Sequence, residues 1–358
     1  MWKAGKICVF IATMKTFKRS KAIGFFDEDF RLAKLTKLGD PLVRLGKGID
    51  FNLFRPYLEE KLQIKAKGKG GRPPFDYVLL FKILVLQRFY NLSDDQMEYQ
   101  ICDRLSFMRF LGLTLADDVP DSKTVWHYRE KLKDMNMTED LFSLFLEHLN
   151  QLGLAVQEGK IVDASFVEVP RQRNSREENK SIKAGKVPEG WEKQPCKLAQ
   201  KDVDARWTKK NHVSYYGYKN HVKCETTHKF VTQYKVTHAA VNDSQVLELI
   251  NEEDRGQVFY ADSAYKTSPI EQKLISLDMP NKIIERAYRN TPLTEEQKKN
   301  NKEKSKVRAR IEHIFGFVEN SMNGSYIRTI GLERATAVIG LMNLTYNMFR
   351  KIQVVSAS

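Results

Sequence analysis

A chain of 358 residues with 59 Lys and Arg against 45 Asp and Glu carries a formal charge of +14 and has room for about two domains. At 42% hydrophobic, 29% charged and 11% aromatic it is globular in composition, which excludes a disordered, collagen-like or coiled-coil chain. Cys8, Cys102, Cys196 and Cys224 form no C-x-x-C pair, which argues against a disulfide framework, zinc ribbon or redox motif and points to a reducing cytoplasm, and no apolar run approaches the roughly 20 residues that span a bilayer.

The first fifty residues read as a partly irregular extension. Ile7 to Ala12 imitates a signal peptide but is too short for one, and Met14 reads as an alternative start that leaves residues 1–13 as an upstream extension. Residues 51–152 read as a helical front, broken by the basic linker Lys65 to Gly71 and by Arg72-Pro73-Pro74. Val78, Leu79, Phe81, Ile83, Leu84, Leu86 and Phe89 make a helix apolar enough to be the centre of a small bundle. Ser93 and Gln96 spell a capping box, and the helix they open is expected to run through Ile101 and Leu105 to Gly112. Pro120-Asp121-Ser122 starts another helix, carrying Lys123, Trp126, His127 and Arg129. It fits either a DNA groove or, the favoured reading, a packed helix with a basic outer side and a buried Trp126. Thr138 to Leu152 is a further amphipathic helix.

From Gly153 the pattern changes. Lys160 to Val169, His212 to Cys224 and Lys229 to Thr237 are rich in β-branched and aromatic residues and are expected to form a three-stranded meander. A helix from Asp243 to Ile250, a strand from Val258 to Ala261, a helix from Ser268 to Leu277 and a fifth strand from Asn281 to Glu285 follow. One helix over Lys304 to Met322 and another over Leu332 to Arg350 complete an α/β layer domain, 153–352, distinct from the helical front.

The charge is concentrated. Residues 171–220 hold thirteen Lys and Arg against six Asp and Glu, and residues 285–310 hold nine against four, so these two segments carry +12 of the +14. Each fits a solvated loop taken alone, but together they flank acids suited to chemistry, which favours a nucleic-acid backbone as partner.

Asp163 falls inside the first strand, where an unpaired carboxylate is costly unless a metal or partner meets it. Asp262 ends the strand Val258 to Ala261, where open α/β sheets place their ligands, although an acid there also serves as a turn cap. Glu312 sits beside the buried stripe Ile311, Phe315, Val318 and Met322, with Arg308 one turn before it; a surface ion pair is the plainer alternative. Three carboxylates converging at one sheet edge would suit two divalent cations roughly 3.5–4 Å apart, and an all-oxygen set selects Mg²⁺ or Mn²⁺ over zinc. Asp243 reads as an N-cap rather than a ligand.

These residues also carry a resemblance. Phe54-Arg55-Pro56, Gly71-Arg72-Pro73-Pro74-Phe75-Asp76, Leu92-Ser93-Asp94, Asp103-Arg104-Leu105-Ser106-Phe107, Val119-Pro120-Asp121 and Arg129 resemble the N-terminal domain of insertion-sequence-five family transposases. Val162-Asp163-Ala164-Ser165, Gly217-Tyr218-Lys219-Asn220-His221, Val241-Asn242-Asp243-Ser244, Ala261-Asp262-Ser263-Ala264-Tyr265 and Arg308 to His313 resemble the ribonuclease-H-like DDE domain of that family. The resemblance implies Asp163, Asp262 and Glu312 as the metal-binding catalytic triad, spaced by 99 and 50 residues, for cleavage at transposon ends and transfer of the 3′-hydroxyl into double-stranded target DNA. It further implies a homo-oligomer when two ends are synapsed. Expected DNA contacts are Lys209 and Lys210 in the basic insert 171–210, Lys219 and His221 on the second strand, Arg308 and Arg310 before Glu312, and Lys123 and Arg129 on the basic helix. Trp191 and Trp207 suit either stacking on unpaired bases or burial. The family's pattern around its Glu runs Tyr, two residues, Arg, three, Glu, six, Lys; here Ser305 and Glu319 occupy the outer positions, and Ser263-Ala264 replaces Ala-Gly. A DNA-binding remnant without catalysis and a nuclease without strand transfer are the alternatives.

Overall fold

The computed structural model describes residues 24–63, 73–155, 158–288 and 291–357; the start at Met14, the upstream extension and the linker Lys65 to Gly71 lie outside the described residues. The chain divides into two units, Met1–Asp40 and Pro41–Ser358. The described part of the first is helix α1 (Asp27–Lys37), acidic in its first turn and basic in its last, the charge order that a helix dipole favours.

The second unit begins with helices α2 (Pro41–Gly48), α3 (Arg55–Leu62), α4 (Tyr77–Phe89), α5 (Asp94–Asp103), α6 (Leu105–Leu111), α7 (Ser122–Asp134) and α8 (Met137–Gln151). As its composition predicts, α4 is buried along nearly its whole length. Asp76 caps it by accepting from the Val78 N–H, while both carboxylate oxygens take Arg55 Nη atoms at 2.9 Å. Both halves of the Ser93–Gln96 capping box form at the start of α5. The helix expected to continue to Gly112 breaks at Arg104, whose extended backbone turns the chain into α6, and Gly112 at φ +80° ends that helix. Trp126 is 40% exposed rather than buried, because Val125, Tyr128 and Leu132 supply the inner face of α7.

The sheet comprises β1 (Gly159–Glu168), β2 (Arg206–Lys210), β3 (Val213–Glu225), β4 (Val231–His238) and β5 (Val258–Ala261), with α9 (Arg176–Lys183) and α10 (Pro195–Ala199) between β1 and β2. β3 pairs antiparallel with β1 and β4, the expected meander, and β5 pairs parallel with β1. β2 pairs antiparallel with the start of β3, a hairpin that the basic composition of the insert conceals. Gly217, at φ +149°, is required within β3 because a Cβ there would run into the Val167 carbonyl. Asn281 to Glu285 runs beside β5 through the Lys282 N–H to Phe259 and the Ile284 N–H to Ala261, without becoming a regular strand. Asp243 to Ile250 forms two short 3₁₀ turns instead of a helix, the first of them capped by Asn242 rather than Asp243. After α11 (Ser268–Ser276), the helix expected over Lys304 to Met322 is divided into α12 (Glu295–Arg308), α13 (Glu312–Gly316) and a π-turn (Phe317–Ser321). The last helix, α14 (Leu332–Ala357), outruns its expected end. Three antiparallel strands followed by one parallel to the first, flanked by helices, make the ribonuclease-H-like α/β arrangement.

A continuous apolar core runs from Leu42 and Phe54 through α4 and α8 to Ile161 and Val222 of the sheet, and includes Val338 to Val354 of α14. A smaller cluster of Val162, Phe259, Ala261, Ile270 and Leu274 lies beneath α11. Helix α14 joins the helical front to the sheet by packing against α4, α8 and β4. Gly340 makes the crossing possible, since a Cβ there would strike the Tyr234 hydroxyl. Two buried amides fix its register: Asn343 and Asn220 exchange hydrogen bonds of 3.2 and 2.9 Å, and Asn347 serves both the N–H and the carbonyl of Val231. No described helix is long and apolar enough to cross a membrane. Replacing Asn343 by Ala strands the Asn220 amide in the core and is expected to cost about 1–3 kcal/mol, read as a lowered urea midpoint; Asn220→Ala in the same chain should add much less than its separate cost.

Candidate active site

The site begins with strand register. Val162 lies opposite Ala261 in the parallel β1–β5 pair, so the next residues, Asp163 within β1 and Asp262 just past β5, follow at the same level of the sheet. Asp163 Oδ1 accepts from the Ala164 N–H at 2.8 Å and Oδ2 from Arg308 Nη1 at 2.6 Å. Burial pushes its carboxyl up to about 6, against the opposing pull of the Ala164 N–H and of Arg308, while nearby Glu312 pushes the same way as burial. Asp262 caps the 3₁₀ turn Ser263–Tyr265, with Oδ1 fixed by the Ser263 N–H at 2.5 Å. The fully buried Tyr265 was not singled out from sequence; its hydroxyl has no hydrogen-bond partner, and burial followed by the fields of Asp163, Asp243 and Asp262 raises its phenol well above the ordinary value. Its spacing three residues after Asp262 was the available signal.

The helix breaks after Arg308, and Glu312 is linked to Asp163 through the ion pairs that Arg308 makes with both. The chain resumes at Glu312 as the first residue of α13, half exposed, and Arg308 Nη2 lies 3.4 Å from its Oε1. One guanidinium thus bridges Asp163 and Glu312, while its buried Nε has no partner. The donors are all carboxylate oxygens, and Asp163 is buried with only partial compensation, so charge and chemistry fit a hard divalent cation. Among the described residues no three His, Cys, Asp or Glu side chains stand as a common ligand cage, and Arg308 pairs with both Asp163 and Glu312.

The expected DNA contacts separate into two groups. Lys209, Lys210 and Lys123 are exposed, and Lys210 lies 5.8 Å from the Phe166 ring, its charge felt at Asp163. Arg310 is exposed while donating to the Thr226 carbonyl at 2.6 Å. Lys219, His221 and Arg129 are turned inward, correcting the expectation for them. Lys219 Nζ donates to Asp243 and to the Val241 carbonyl, both at 2.7 Å, tying the 241–243 loop to β3. His221 bonds Thr237 Oγ1 at 2.8 Å, and burial lowers its pKa to about 4, which keeps it neutral at pH 7. Arg129 makes a two-pronged pair with Asp94 at 2.5 and 2.8 Å. Trp191 is buried with its indole N–H on Glu178 at 2.8 Å, so only Trp207, 46% exposed, offers a face for stacking.

Two family patterns match: "Transposase domain (DUF772)" over residues 30–131 and "Transposase DDE domain" over residues 155–348, the latter more than half of the chain. Among solved structures, the piggyBac transposase synaptic complex with hairpin DNA aligns with 90% of this chain and 77% of that one at 14% identity and a TM-score of 0.46. The Mos1 strand transfer complex aligns with 84% of each chain at 10% identity and a TM-score of 0.25. Asp163 within β1, Asp262 just past β5 and Glu312 at the head of α13 lie within the matched DDE segment, and the chain belongs to the DDE transposase family, a DNA transposase.

Proposed function

We propose that the chain cleaves phosphodiester bonds at the ends of a mobile element and joins the freed 3′-hydroxyl to target DNA, with Asp163, Asp262 and Glu312 as the acting carboxylates. The observation that supports the reading is the register of β1 and β5, in which Asp163 and Asp262 each follow the paired residues Val162 and Ala261, together with Arg308, which pairs with both Asp163 and Glu312. The three would hold Mg²⁺ or Mn²⁺, two ions in all. Bound there, such ions supply activation of the attacking oxygen and stabilisation of the leaving one. The chain itself positions these groups: the Ala164 and Ser263 N–H groups fix one oxygen each of Asp163 and Asp262, and Arg308 orients both Asp163 and Glu312.

Residues 51–152 serve in binding element ends and residues 153–352 in catalysis. Lys123, Lys209 and Lys210 present exposed cations to the backbone of double-stranded DNA, and Trp207 a face to an unpaired base. Bringing two ends together calls for at least two copies of the chain, acting in the cytoplasm where the DNA lies.

Asp163→Ala, Asp262→Ala and Glu312→Ala should each reduce Mg²⁺-dependent end cleavage by purified protein at least about a hundredfold, and cleavage retained in one variant removes that residue from the triad. Cleaved ends that never join a second DNA molecule would identify a nuclease, and end binding without nicking a remnant in which Ser305 and Glu319 mark lost activity. DNA affinity should fall steeply between about 50 and 200 mM salt, and a flat response contradicts backbone recognition. Because folding raises the Asp163 pKa from 3.8 to about 6, its ionisation opposes the fold, and stability declines as pH rises through that interval. Asp163→Asn should therefore melt above wild type at pH 7 in metal-free buffer, with the gain vanishing near pH 4.

A further inference from the structure

A cleft of about 500 Å³ opens beside α13, lined among others by Lys229, Glu312, His313, Gly316, Ser321 and Arg350. Its lining thus includes a proposed catalytic acid, Glu312, and two cations, Lys229 and Arg350. The cations come from the turn between β3 and β4 and its surroundings. Arg310 donates to the Thr226 carbonyl at 2.6 Å, Arg350 Nε to the His228 carbonyl at 2.5 Å, and the Tyr346 hydroxyl to the Lys229 carbonyl at 2.9 Å. Lys229 itself is held at φ +65°, an uncommon conformation for a residue with a side chain.

The charges gathered at this turn are poorly balanced. Glu225, the nearest acid in sequence, spends its carboxylate on the N–H groups of Thr227, His228 and Phe230. The Lys229 ammonium has no hydrogen bond or ion pair among the described residues. Burial first, and the like charges of Arg350 and Arg310 next, push its pKa below the ordinary lysine value. Like charges brought together cost free energy that the field of Glu225 offsets only in part, and an anion held between them removes that cost.

The π-turn explains how an acid at position 319 is compatible with this. In an uninterrupted α-helix the residue seven places after Glu312 shares its face. Here the turn Phe317–Ser321 is π-helical; Ser321 lines the cleft and Glu319, fully on the solvent side, does not.

We infer that this cleft seats a backbone phosphate of the DNA strand next to Glu312, with Lys229 and Arg350 as its cationic walls and with no role for position 319. The assignment rests on the reading of Glu312 as part of a DNA-cutting site and adds the groups that hold the strand there. Lys229 and Arg350 belong to the β3–β4 turn and α14, remote in sequence from Glu312, so the three meet only in the fold.

The test is a fluorescence-anisotropy titration of a labelled duplex of about 20 base pairs carrying an element end, using the full chain with Asp262→Ala to silence cleavage. Lys229→Ala should weaken binding about 3- to 10-fold at low salt and reduce the slope of log K against log salt by about one, while Lys229→Arg restores both. Lys235→Ala, an exposed lysine paired with Glu248, and Glu319→Ala should each change affinity less than about twofold. Unchanged melting curves confirm that the variants fold. Wild-type affinity and slope in Lys229→Ala, an equal loss in Lys235→Ala, or a large gain in Glu319→Ala would each overturn the cleft while leaving the transposase reading intact. A parent chain that binds no duplex would overturn both.

Discussion

The site depends on a parallel pairing of only four residues in each strand. Gly159 to Val162 of β1 lie against Val258 to Ala261 of β5, and the positions of both aspartates follow from that register. Side chains alternate along a strand, so a slip of one residue would send Asp262 to the face opposite Asp163. What prevents the slip is packing: Val162, Phe259 and Ala261 are buried against Ile270 and Leu274 of α11, and the 281–285 segment holds the outer edge of β5 through Phe259 and Ala261. Hydrophobic burial on one face of the sheet thus sets the geometry of carboxylates whose own electrostatics work against burial.

The segment Gly217 to His221 shows how a dense motif can belong to the scaffold. Each residue in it answers an internal demand. Gly217 accommodates the Val167 carbonyl, the Tyr218 hydroxyl donates to Asp202, Lys219 pairs with Asp243, Asn220 with Asn343 and His221 with Thr237. Asp202 in turn accepts from the backbone of Asp204, Ala205 and Gly331, so the end of the basic insert is anchored to the start of α14 through one buried carboxylate. A lysine and a histidine that look suited to DNA are consumed in holding the sheet to its surroundings.

What could be read from sequence, and what could not, follows from the range of the interactions. The capping box at Ser93, the strand ending before Asp262 and the meander all rest on local pattern and were legible. The breaks at Arg104 and after Arg308 were not, because nearby residues favour helix there and tertiary packing decides otherwise. The β2–β3 hairpin was hidden by Lys209 and Lys210, adjacent lysines on opposite faces of an exposed strand, while Trp126 lost the inner face of α7 to Val125, Tyr128 and Leu132 and Trp191 was buried with its indole N–H on Glu178 of the insert. The bridge of Arg308 to Glu312 could be anticipated from helical spacing, whereas its reach to Asp163 spans 145 positions and has no local signature.

Helix α14 also constrains how the molecule is made. It is the last described element, yet it occupies the middle of the core, between α4 and α8 on one side and β4 on the other. During synthesis the helices up to α8 leave the ribosome with the surface that α14 will cover still bare, and residues 152–331 must follow before that cover arrives. The front therefore cannot mature as an independent folding unit and spends translation as an open apolar trough, vulnerable to chaperone capture or aggregation. A nascent chain stalled before Leu332 would lack the central wall of its fold and could not place Asn343 and Asn347 against the sheet. Union of the helical front with the sheet is thereby tied to synthesis of α14.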